Sequence, residues 1–283
     1  MNGELFFQGE RKGGRPGCCV SEDVTRVEAT EEYIFGEVLD GHGDKGEFVA
    51  NETAARLCHG LLPEVLEDPD PEKMRAIAQR IDQELCGFLK ISRCYGGTTA
   101  AWTILTGEFV CVATVGDTEA YLLRPDMSEP QPMTPAHGTN NAGERARLQS
   151  SGWQVRADPD RPKTHYFHPP WTMRLPPIQL SRAFGDFVYG DALQADPETV
   201  WQTAWPEEAT VLILMSDGVR YALGPSLGAE LRLLAGQHKS FQERASEFWT
   251  RILRERPYDD VSVVAIDLVG WRKHLASHLN SLN

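Results

Sequence analysis

Short apolar runs and longer amphipathic stretches alternate along this chain. The run at 33–39 has the length of a strand and stops at Asp40. Later runs rich in β-branched and apolar residues are typical of buried strands, and those between 98 and 124 predict an antiparallel meander. We therefore predict strands at 33–39, 98–105, 108–115, 119–124, 211–215 and 261–268.

Helical spacing of apolar residues marks the segments between these runs. Residues 45–67 follow that spacing up to an interruption near Pro63, and residues 71–91 begin with Pro71, which suits a first turn. Shorter helices are predicted at 141–148, 228–236 and 239–255. Residues 152–178 contain six prolines and little periodicity, which predicts an irregular surface insertion or flap.

No internal repeat and no linker divides the chain, so the pattern favours one domain of the α+β class. We place that domain at 17–269, with the proline-rich insertion at about 152–178. Residues 1–16, rich in glycine and charge, are predicted to form a flexible N-terminal segment, and residues 270–283 a C-terminal tail.

Composition narrows the choice of partners. Twenty-eight basic residues against 41 acidic ones give a net charge of −13, which argues against nucleic acid or an anionic membrane as the main partner. We see no secretory signal and no apolar run of membrane-spanning length. Six cysteines without a Cys-x-x-Cys pair indicate reduced thiols. We expect a monomeric, cytoplasmic protein.

The sequence Asp40-Gly41-His42-Gly43 follows the first apolar run directly. Its glycines allow a sharp turn that exposes a backbone carbonyl beside the Asp40 carboxylate and the His42 imidazole. Oxygen ligands of this kind suit a hard, hydrated cation. An Asp-Gly pair after a strand is more often an ordinary turn, so other residues have to support a site.

Further acids lie at the ends of other predicted strands. Asp217 follows one strand and Asp259 precedes another, and an antiparallel pairing would bring both to the sheet edge that carries Asp40. Their mutual repulsion favours a bound cation, and oxygen ligands favour magnesium or manganese. Two such ions can hold a hydroxide in line with a phosphoester, while His42 protonates the leaving alkoxide. The remaining candidates, His59, His165 and His168, are predicted to be ordinary surface or loop histidines.

The order of these motifs resembles that of the PPM family, the metal-dependent serine/threonine protein phosphatases of type 2C. The resemblance extends from about residue 17 to 268 and implies a four-layer α-β-β-α sandwich of two antiparallel sheets flanked by helices. The six motifs that carry it are Ser21-Glu22-Asp23-Val24, Asp40-Gly41-His42-Gly43, Gly96-Gly97-Thr98-Thr99-Ala100, Val115-Gly116-Asp117-Thr118, Ser181-Arg182-Ala183-Phe184-Gly185-Asp186, and Ser216-Asp217-Gly218 with Asp259-Asp260-Val261-Ser262.

The resemblance also implies a role for individual residues. Two manganese or magnesium ions would be bridged by Asp40, and a third, weaker ion would be associated with Asp117. It implies phosphorylated proteins as substrates and a role in signalling. The remaining assignments are the Gly41 carbonyl, Asp217 and Asp259 as metal ligands, Glu22 as a ligand through or beside water, Asp23 as support behind the ligands, and His42 as general acid.

Some positions depart from the family pattern. Cys18 stands where an arginine usually holds the substrate phosphate, and Arg11, Lys12 or Arg15 could substitute for it. Loss of that arginine should weaken phosphoester binding more than metal binding. Two alternatives therefore stay open beside a metal-dependent phosphatase that acts on phosphoserine and phosphothreonine. One is a catalytically weak or inactive phosphatase-like module that binds a partner, and the other is a phosphatase of small metabolites.

Overall fold

Two antiparallel sheets lie face to face with helices on both outer sides in the computed structural model, which describes residues 5–14, 20–162, 164–203 and 207–282. This arrangement is the predicted four-layer sandwich. In chain order the strands are β1 (Phe6–Arg11), β2 (Asp23–Ala29), β3 (Tyr33–His42), β4 (Gly97–Thr106), β5 (Val110–Val115), β6 (Glu119–Leu123), β7 (Gln154–Ala157), β8 (His165–His168), β9 (Phe184–Gly185), β10 (Glu198–Gln202), β11 (Val211–Met215) and β12 (Val261–Asp267).

The strand order differs between the two sheets. The first sheet runs β1-β12-β11-β6, and the second runs β10-β5-β4-β3-β2 with β9 added beside β4. β7 and β8 form a separate hairpin. The predicted irregular insertion therefore contains regular structure. Its alternating residues are few and are interrupted by prolines, so the sequence pattern was too short to reveal the hairpin.

The helices match the predicted amphipathic segments closely. The interruption predicted near Pro63 is a single π turn, Leu57–Leu61, directly before the proline. Among the helices that the structure describes, none has the length and apolar composition needed to cross a membrane. The helices are α1 (Gly46–Arg56), α2 (Leu62–Glu67), α3 (Pro71–Ser92), α4 (Ala142–Ser150), α5 (Asp217–Leu223), α6 (Leu227–Ala235), α7 (Phe241–Arg254) and α8 (Leu268–Leu282).

Alternation along β3 decides what each of its residues faces. Ile34 and Val38 pack in the core between the two sheets, whereas Phe35 and Leu39 pack against the helices that cover the second sheet. Successive side chains of a strand point to opposite faces. Asp40 shares the face of Ile34 and Val38, so this acid lies between the sheets, at the end of the strand where they open to solvent.

The predicted meander through residues 98–124 is wrong at its last step. β4 and β5 pair as expected, but β6 pairs with β11 in the opposite sheet. The turn between β5 and β6 therefore carries the chain across the sandwich. Gly116 makes this possible with a φ of 96°, at a place where a Cβ atom would lie 2.3 Å from Thr99. A strand's own sequence does not specify which sheet it joins.

Both predicted terminal segments need correction. β1 lies inside the segment predicted to be flexible, and it pairs antiparallel with β12 from Phe6 opposite Ile266 to Arg11 opposite Val261. The supposed tail is largely α8, which buries Trp271. Both β1 and α8 are stabilised by packing against distant parts of the chain. Their own charged, glycine-rich or short sequences do not predict this packing. Cys18 and Arg15 lie outside the described residues.

Candidate active site

A network of hydrogen bonds ties the two sheets together behind Asp40. Asp23 lies directly opposite Asp40 in the pairing of β2 with β3. Its carboxylate accepts a 2.6 Å hydrogen bond from the Ser262 hydroxyl of the facing sheet, and the Ser262 amide donates to the Ser216 hydroxyl over 3.0 Å. These bonds fix the end of β11 and the start of β12 against β2 and β3.

Four aspartates from separate segments line one groove at this end of the sandwich. β11 and β12 are antiparallel, with Met215 opposite Val263, so Asp217 and Asp259 reach the same edge as predicted. Asp40 comes from the second sheet and Asp117 from the turn that crosses between the sheets. All four are half-buried and, with the backbone of Gly41, line a groove of about 1120 Å³. We call these four residues the acidic floor.

The acidic floor has an unfavourable charge balance when the chain is considered alone. Burial, together with neighbouring aspartates, raises the pKa values of Asp40 and Asp217 well above the ordinary range. Burial also raises the pKa of Asp117 to about 6, against an opposing effect of His42. A cation between these carboxylates would relieve the repulsion.

The donor atoms of the floor fit magnesium or manganese. They are carboxylate oxygens and one backbone carbonyl, the ligands that hard cations prefer. Within the part of the chain that the structure describes, no three acidic, histidine or cysteine side chains close around a single point. Magnesium usually keeps several waters and takes only one or two carboxylates, so an open, acid-lined groove suits it better than a closed cage.

The first acidic motif lies behind and beside the floor. Burial raises the pKa of Asp23 to about 7, although Ser262 and Ser216 oppose that shift, which agrees with a supporting position behind Asp40. The backbone carbonyl of Glu22 accepts a 3.1 Å hydrogen bond from the Gly41 amide, and the Glu22 side chain lies next to Gly46. Glu22 is not among the residues that line the groove. Its role as a ligand stays a prediction.

His42 has a partner to which our sequence reasoning assigned no role. Its Nε2 atom lies 2.6 Å from Oδ2 of Asp186, a buried carboxylate. Burial lowers the pKa of His42, but Asp186, together with the charges of Asp117 and Glu22, raises it, and the net shift is upward. The pair packs over the bare Cα of Gly97, where a Cβ atom would lie 2.2 Å from Asp186. The only signal in the sequence was that Asp186 ends the motif Ser181-Arg182-Ala183-Phe184-Gly185-Asp186.

The segment that carries Asp186 is held from the helical side. Asp82 of α3 accepts a 2.8 Å hydrogen bond from the Gly185 amide, and the Asp186 amide donates to the Gly96 carbonyl over 3.1 Å. Burial raises the pKa of Asp82 to about 6. The histidine and its carboxylate partner therefore rest on a helix and a strand of the second sheet, so both lie on rigid elements.

A second cluster of buried charge lies under the crossing turn, and we call it the paired cluster. Oε1 of Glu144 accepts hydrogen bonds from Arg182 at 2.7 and 3.1 Å, and Oε2 pairs with Arg147 at 2.9 Å. Burial opposes ionisation of Glu144, but these bonds prevail and lower its pKa to about 2. Nearby, Nδ1 of His137 accepts from the Gly116 amide at 3.1 Å and so holds the turn that carries Asp117.

Two walls rise from the acidic floor. One is the insertion, which contributes Arg161, Tyr166 and residues 175–180. The other is the loop between α7 and β12, residues 255–258. Exposed tyrosines stand at the rim: Tyr95 is 51% exposed, Tyr221 63% and Tyr258 66%.

Metal-dependent phosphoester hydrolases use oxygen ligands for a hard cation and a proton donor beside them, and the acidic floor with His42 at the open end of the sandwich offers groups of both kinds. Comparison with known proteins gives the particular family. Residues 16–227 match the family model described as protein phosphatase 2C. The chain belongs to the protein phosphatase 2C family, whose members depend on manganese or magnesium and act on phosphorylated proteins.

Individual relatives agree with the family match. The chain is 28% identical over 295 residues to probable protein phosphatase 2C 73 of Arabidopsis thaliana. The alignment covers 93% of this chain and 78% of that protein. Among solved structures, serine-threonine phosphatase 2C from Toxoplasma gondii superimposes with a TM-score of 0.71 at 17% identity, over 93% of this chain and 94% of that one. A C. elegans sex determining protein superimposes with a TM-score of 0.77 at 20% identity, over 97% of this chain and 68% of that one.

The predicted family, fold and enzyme class, a metal-dependent protein phosphatase, are confirmed by these matches. The ligand assignments, the number of ions, the monomeric state and the cytoplasmic location stay predictions. Our expectation that the protein binds neither nucleic acid nor a membrane also stays a prediction.

Proposed function

We propose that this protein hydrolyses phosphoserine and phosphothreonine esters in other proteins at the acidic floor of the groove. The observation that carries the proposal is the convergence of Asp40, Asp117, Asp217 and Asp259 on one groove beside the His42–Asp186 pair. Burial and neighbouring aspartates raise the pKa values of Asp40 and Asp217, so the arrangement is costly for the chain alone. It is useful when cations are bound there.

Two ions would be held at this floor by Asp40, Asp217, Asp259 and the Gly41 carbonyl, with Glu22 acting through or beside water. We assign a third, weaker ion to Asp117, on the crossing turn. When bound, such ions polarise phosphoryl oxygens and make water a nucleophile at neutral pH. Asp23 keeps Asp40 in place through its own bond to Ser262.

His42 is placed to protonate the leaving alkoxide. Serine and threonine alkoxides are poor leaving groups, so a proton donor in the groove should speed their departure. Asp186 favours the protonated imidazole and fixes the ring through Nε2. Because Nε2 faces Asp186, the other ring nitrogen is left to meet the substrate.

The groove supports a protein substrate better than a small metabolite. Its volume of about 1120 Å³ exceeds what a phosphate ester needs, and its rim carries exposed tyrosines. Such side chains bind extended peptides through apolar contact together with hydrogen bonds. The chain's charge of −13 favours a substrate segment that is not itself strongly acidic.

The experiment compares wild type with Asp217→Asn on p-nitrophenyl phosphate and on a phosphothreonine peptide, with and without added manganese. We expect manganese-dependent turnover by wild type and a loss of about 10³-fold in kcat for the variant, since a lost ligand removes several kcal/mol of transition-state stabilisation. Asp191→Asn is the matched control, because Asp191 is exposed and does not line the groove.

Three outcomes separate the alternatives. Equal inertness of wild type and Asp217→Asn with every divalent ion would overturn the proposal. Tight manganese binding by calorimetry without turnover of any ester would favour a phosphatase-like binding module. Rapid turnover of small phosphate esters with none of the phosphothreonine peptide would favour a metabolite phosphatase.

A further inference from the structure

We propose that Arg256 binds the substrate phosphate in this protein. The inference rests on the proposed function and goes beyond it, since it assigns the phosphate contact to a residue outside every motif that carries the family resemblance. The usual position for that contact is Cys18, whose side chain cannot form the paired hydrogen bonds that a guanidinium gives to phosphate.

The groove offers few positive charges. Among its described lining residues, the only basic side chains other than His42 are Arg161 and Arg256. Arg11 and Lys12, two substitutes suggested by the sequence, do not line it. A phosphate dianion that approaches four aspartates needs compensation beyond bound ions, and an arginine at the wall supplies it.

The two arginines differ in their present partners. Arg161 is engaged within the insertion, where it pairs with Asp158 at 3.0 Å and donates to the Tyr166 hydroxyl at 2.8 Å. Arg256 has no hydrogen-bond or ion-pair partner for its guanidinium within the part of the chain that is described. A phosphate would therefore meet Arg256 without first breaking an existing ion pair.

The loop that carries Arg256 is held against the acidic floor. Arg256 precedes the floor residue Asp259 by three positions, so their Cα atoms lie at most about 11 Å apart. The Gly14 amide donates to the Pro257 carbonyl at 3.0 Å. The Asp260 carboxylate accepts from the amides of Gly13 at 2.6 Å and Glu22 at 2.7 Å. These bonds join the loop and the start of β12 to Gly13, Gly14 and Glu22.

The backbone at Arg256 is unusual. It follows the last turn of α7, donates its amide to the Leu253 carbonyl at 3.3 Å and has a φ of 51°. Glycine is the usual residue in this left-handed position after a helix. Non-glycine residues in such conformations concentrate at functional sites. Asp186, the partner of His42, also has a positive φ and also lines the groove.

The test measures phosphate binding as well as turnover. Inorganic phosphate is titrated by calorimetry into the manganese-loaded full chain, and KM and kcat are measured with p-nitrophenyl phosphate. We expect Arg256→Ala to weaken phosphate binding about 10- to 100-fold and to raise KM by a similar factor, because charge-assisted paired hydrogen bonds are lost. Arg256→Lys should recover only part of the loss, since an ammonium lacks the planar fork.

The control is Arg254→Ala, an exposed arginine of the same helix end that does not line the groove, and it should stay within about twofold of wild type. Manganese titrations of each variant check that metal loading is unchanged. Phosphate binding and KM at wild-type values in Arg256→Ala would overturn the inference. So would a loss of phosphate binding that follows weakened manganese binding, or a loss that occurs in Arg161→Ala or Arg15→Ala and not in Arg256→Ala.

The two proposals fail in different ways. Wild type that binds phosphate through Arg256 but turns over no ester would refute the proposed function alone. Wild type that turns over esters with Arg256→Ala unchanged would refute the phosphate assignment alone.

Discussion

Two groups of buried carboxylates in this protein have opposite electrostatic surroundings. In the paired cluster, Arg182 and Arg147 compensate Glu144, and its pKa falls to about 2. In the acidic floor the neighbours are other aspartates, and the pKa values of Asp40 and Asp217 rise well above the ordinary range. A charge that the chain itself neutralises stabilises the fold, whereas one left for an external cation destabilises the metal-free fold and makes a site.

The comparison teaches how to separate structural from functional acids. Both groups contain half-buried or buried acids near the crossing turn, so burial alone does not distinguish them. The charge of the neighbouring side chains distinguishes them, because arginines surround the acid of the paired cluster and aspartates surround those of the floor. Removing an acid from the paired cluster should cost stability, while removing one from the floor should cost activity and relieve repulsion. The predictions below test that division from the largest effect to the smallest.

The largest effect is expected for Asp40→Asn. Turnover should fall by at least about 10³-fold, or about 4 kcal/mol, because the variant loses the proposed bridging ligand. Without metal, the free energy of unfolding of the variant should be about 1–2 kcal/mol higher than that of wild type at pH 7, because the variant lacks one of the mutually repelling carboxylates. Thermal melts in a chelator and in manganese, with Asp191→Asn as control, measure both effects. An Asp40→Asn variant less stable than wild type without metal would contradict the comparison.

Its pH dependence has a definite sign. Asp40 has a raised pKa in the folded protein, so its ionisation destabilises that state. The stability of metal-free wild type should therefore fall as the pH rises from the unfolded value near 3.9 through the higher folded value. Asp40→Asn should flatten this part of the profile. Saturating manganese should flatten it in wild type as well, because the metal competes with protons for the same oxygens.

Glu144→Gln should show the opposite behaviour. It leaves the largely buried Arg182 with only its longer contacts to the Asp196 and Glu198 carboxylates, at 3.5 and 3.9 Å, and should cost about 2–3 kcal/mol of unfolding free energy at pH 7. A lowered pKa contributes stability that is present above the unfolded value near 4.5 and lost as the pH falls toward about 2. The gap between wild type and variant in urea melts should therefore narrow below pH 4.5. Glu108→Gln, at an exposed loop position, is the control.

The His42–Asp186 pair is intermediate, because one acid compensates one base. His42→Ala should lower kcat about 10²-fold on a phosphothreonine peptide, where the leaving alkoxide needs a proton. The loss should be smaller on p-nitrophenyl phosphate, because nitrophenolate leaves without protonation. Steady-state kinetics on both substrates measure the difference, with the exposed His59→Ala as control. Equal losses on the two substrates would argue against general-acid catalysis by His42.

The smallest effect is expected at Asp82, a half-buried acid outside the floor that has no cationic partner among the residues that the structure describes. Asp82→Asn keeps an acceptor for the Gly185 amide and removes a charge whose pKa burial raises to about 6. We expect a gain of about 1 kcal/mol in unfolding free energy at pH 8 and no gain near pH 4, because wild-type stability is lost as the pH rises through about 6. A loss at pH 8 would show that its carboxylate is structurally required.

Local sequence was sufficient for much of the fold. The predicted strands and helices match the observed ones within a few residues, including the interruption before Pro63. Asp40, Asp117 and Asp217 could be chosen because each follows an apolar run, and Asp259 because it precedes one, although Asp40 lies within the last residues of β3 and Asp217 begins α5 instead of standing in a turn. Period-two and period-3.6 patterns report which residues are buried, and burial drives both elements.

Other features depended on contacts between distant parts of the chain. The motif order named the acids of the floor, but the Asp186 partner of His42 lies 144 positions away and needed β9 to pair with β4. The crossing of β6 to the opposite sheet, the edge strand β1 and the pairing of Glu144 with Arg182 are of the same kind. Arg256 lies outside every motif of the family resemblance, and only its position on the wall of the groove distinguishes it from the other arginines of the chain.

The sequence by itself determined many of the strands and helices, the acidic residues next to them and the family to which the protein belongs, because hydrophobic periodicity and turn chemistry act over a few neighbouring residues. Only the tertiary structure decided which acids receive a cation from the chain and which are left facing one another. That choice depends on where separate strands and loops meet in space, and it divides the carboxylates that stabilise this protein from those proposed to bind its metals.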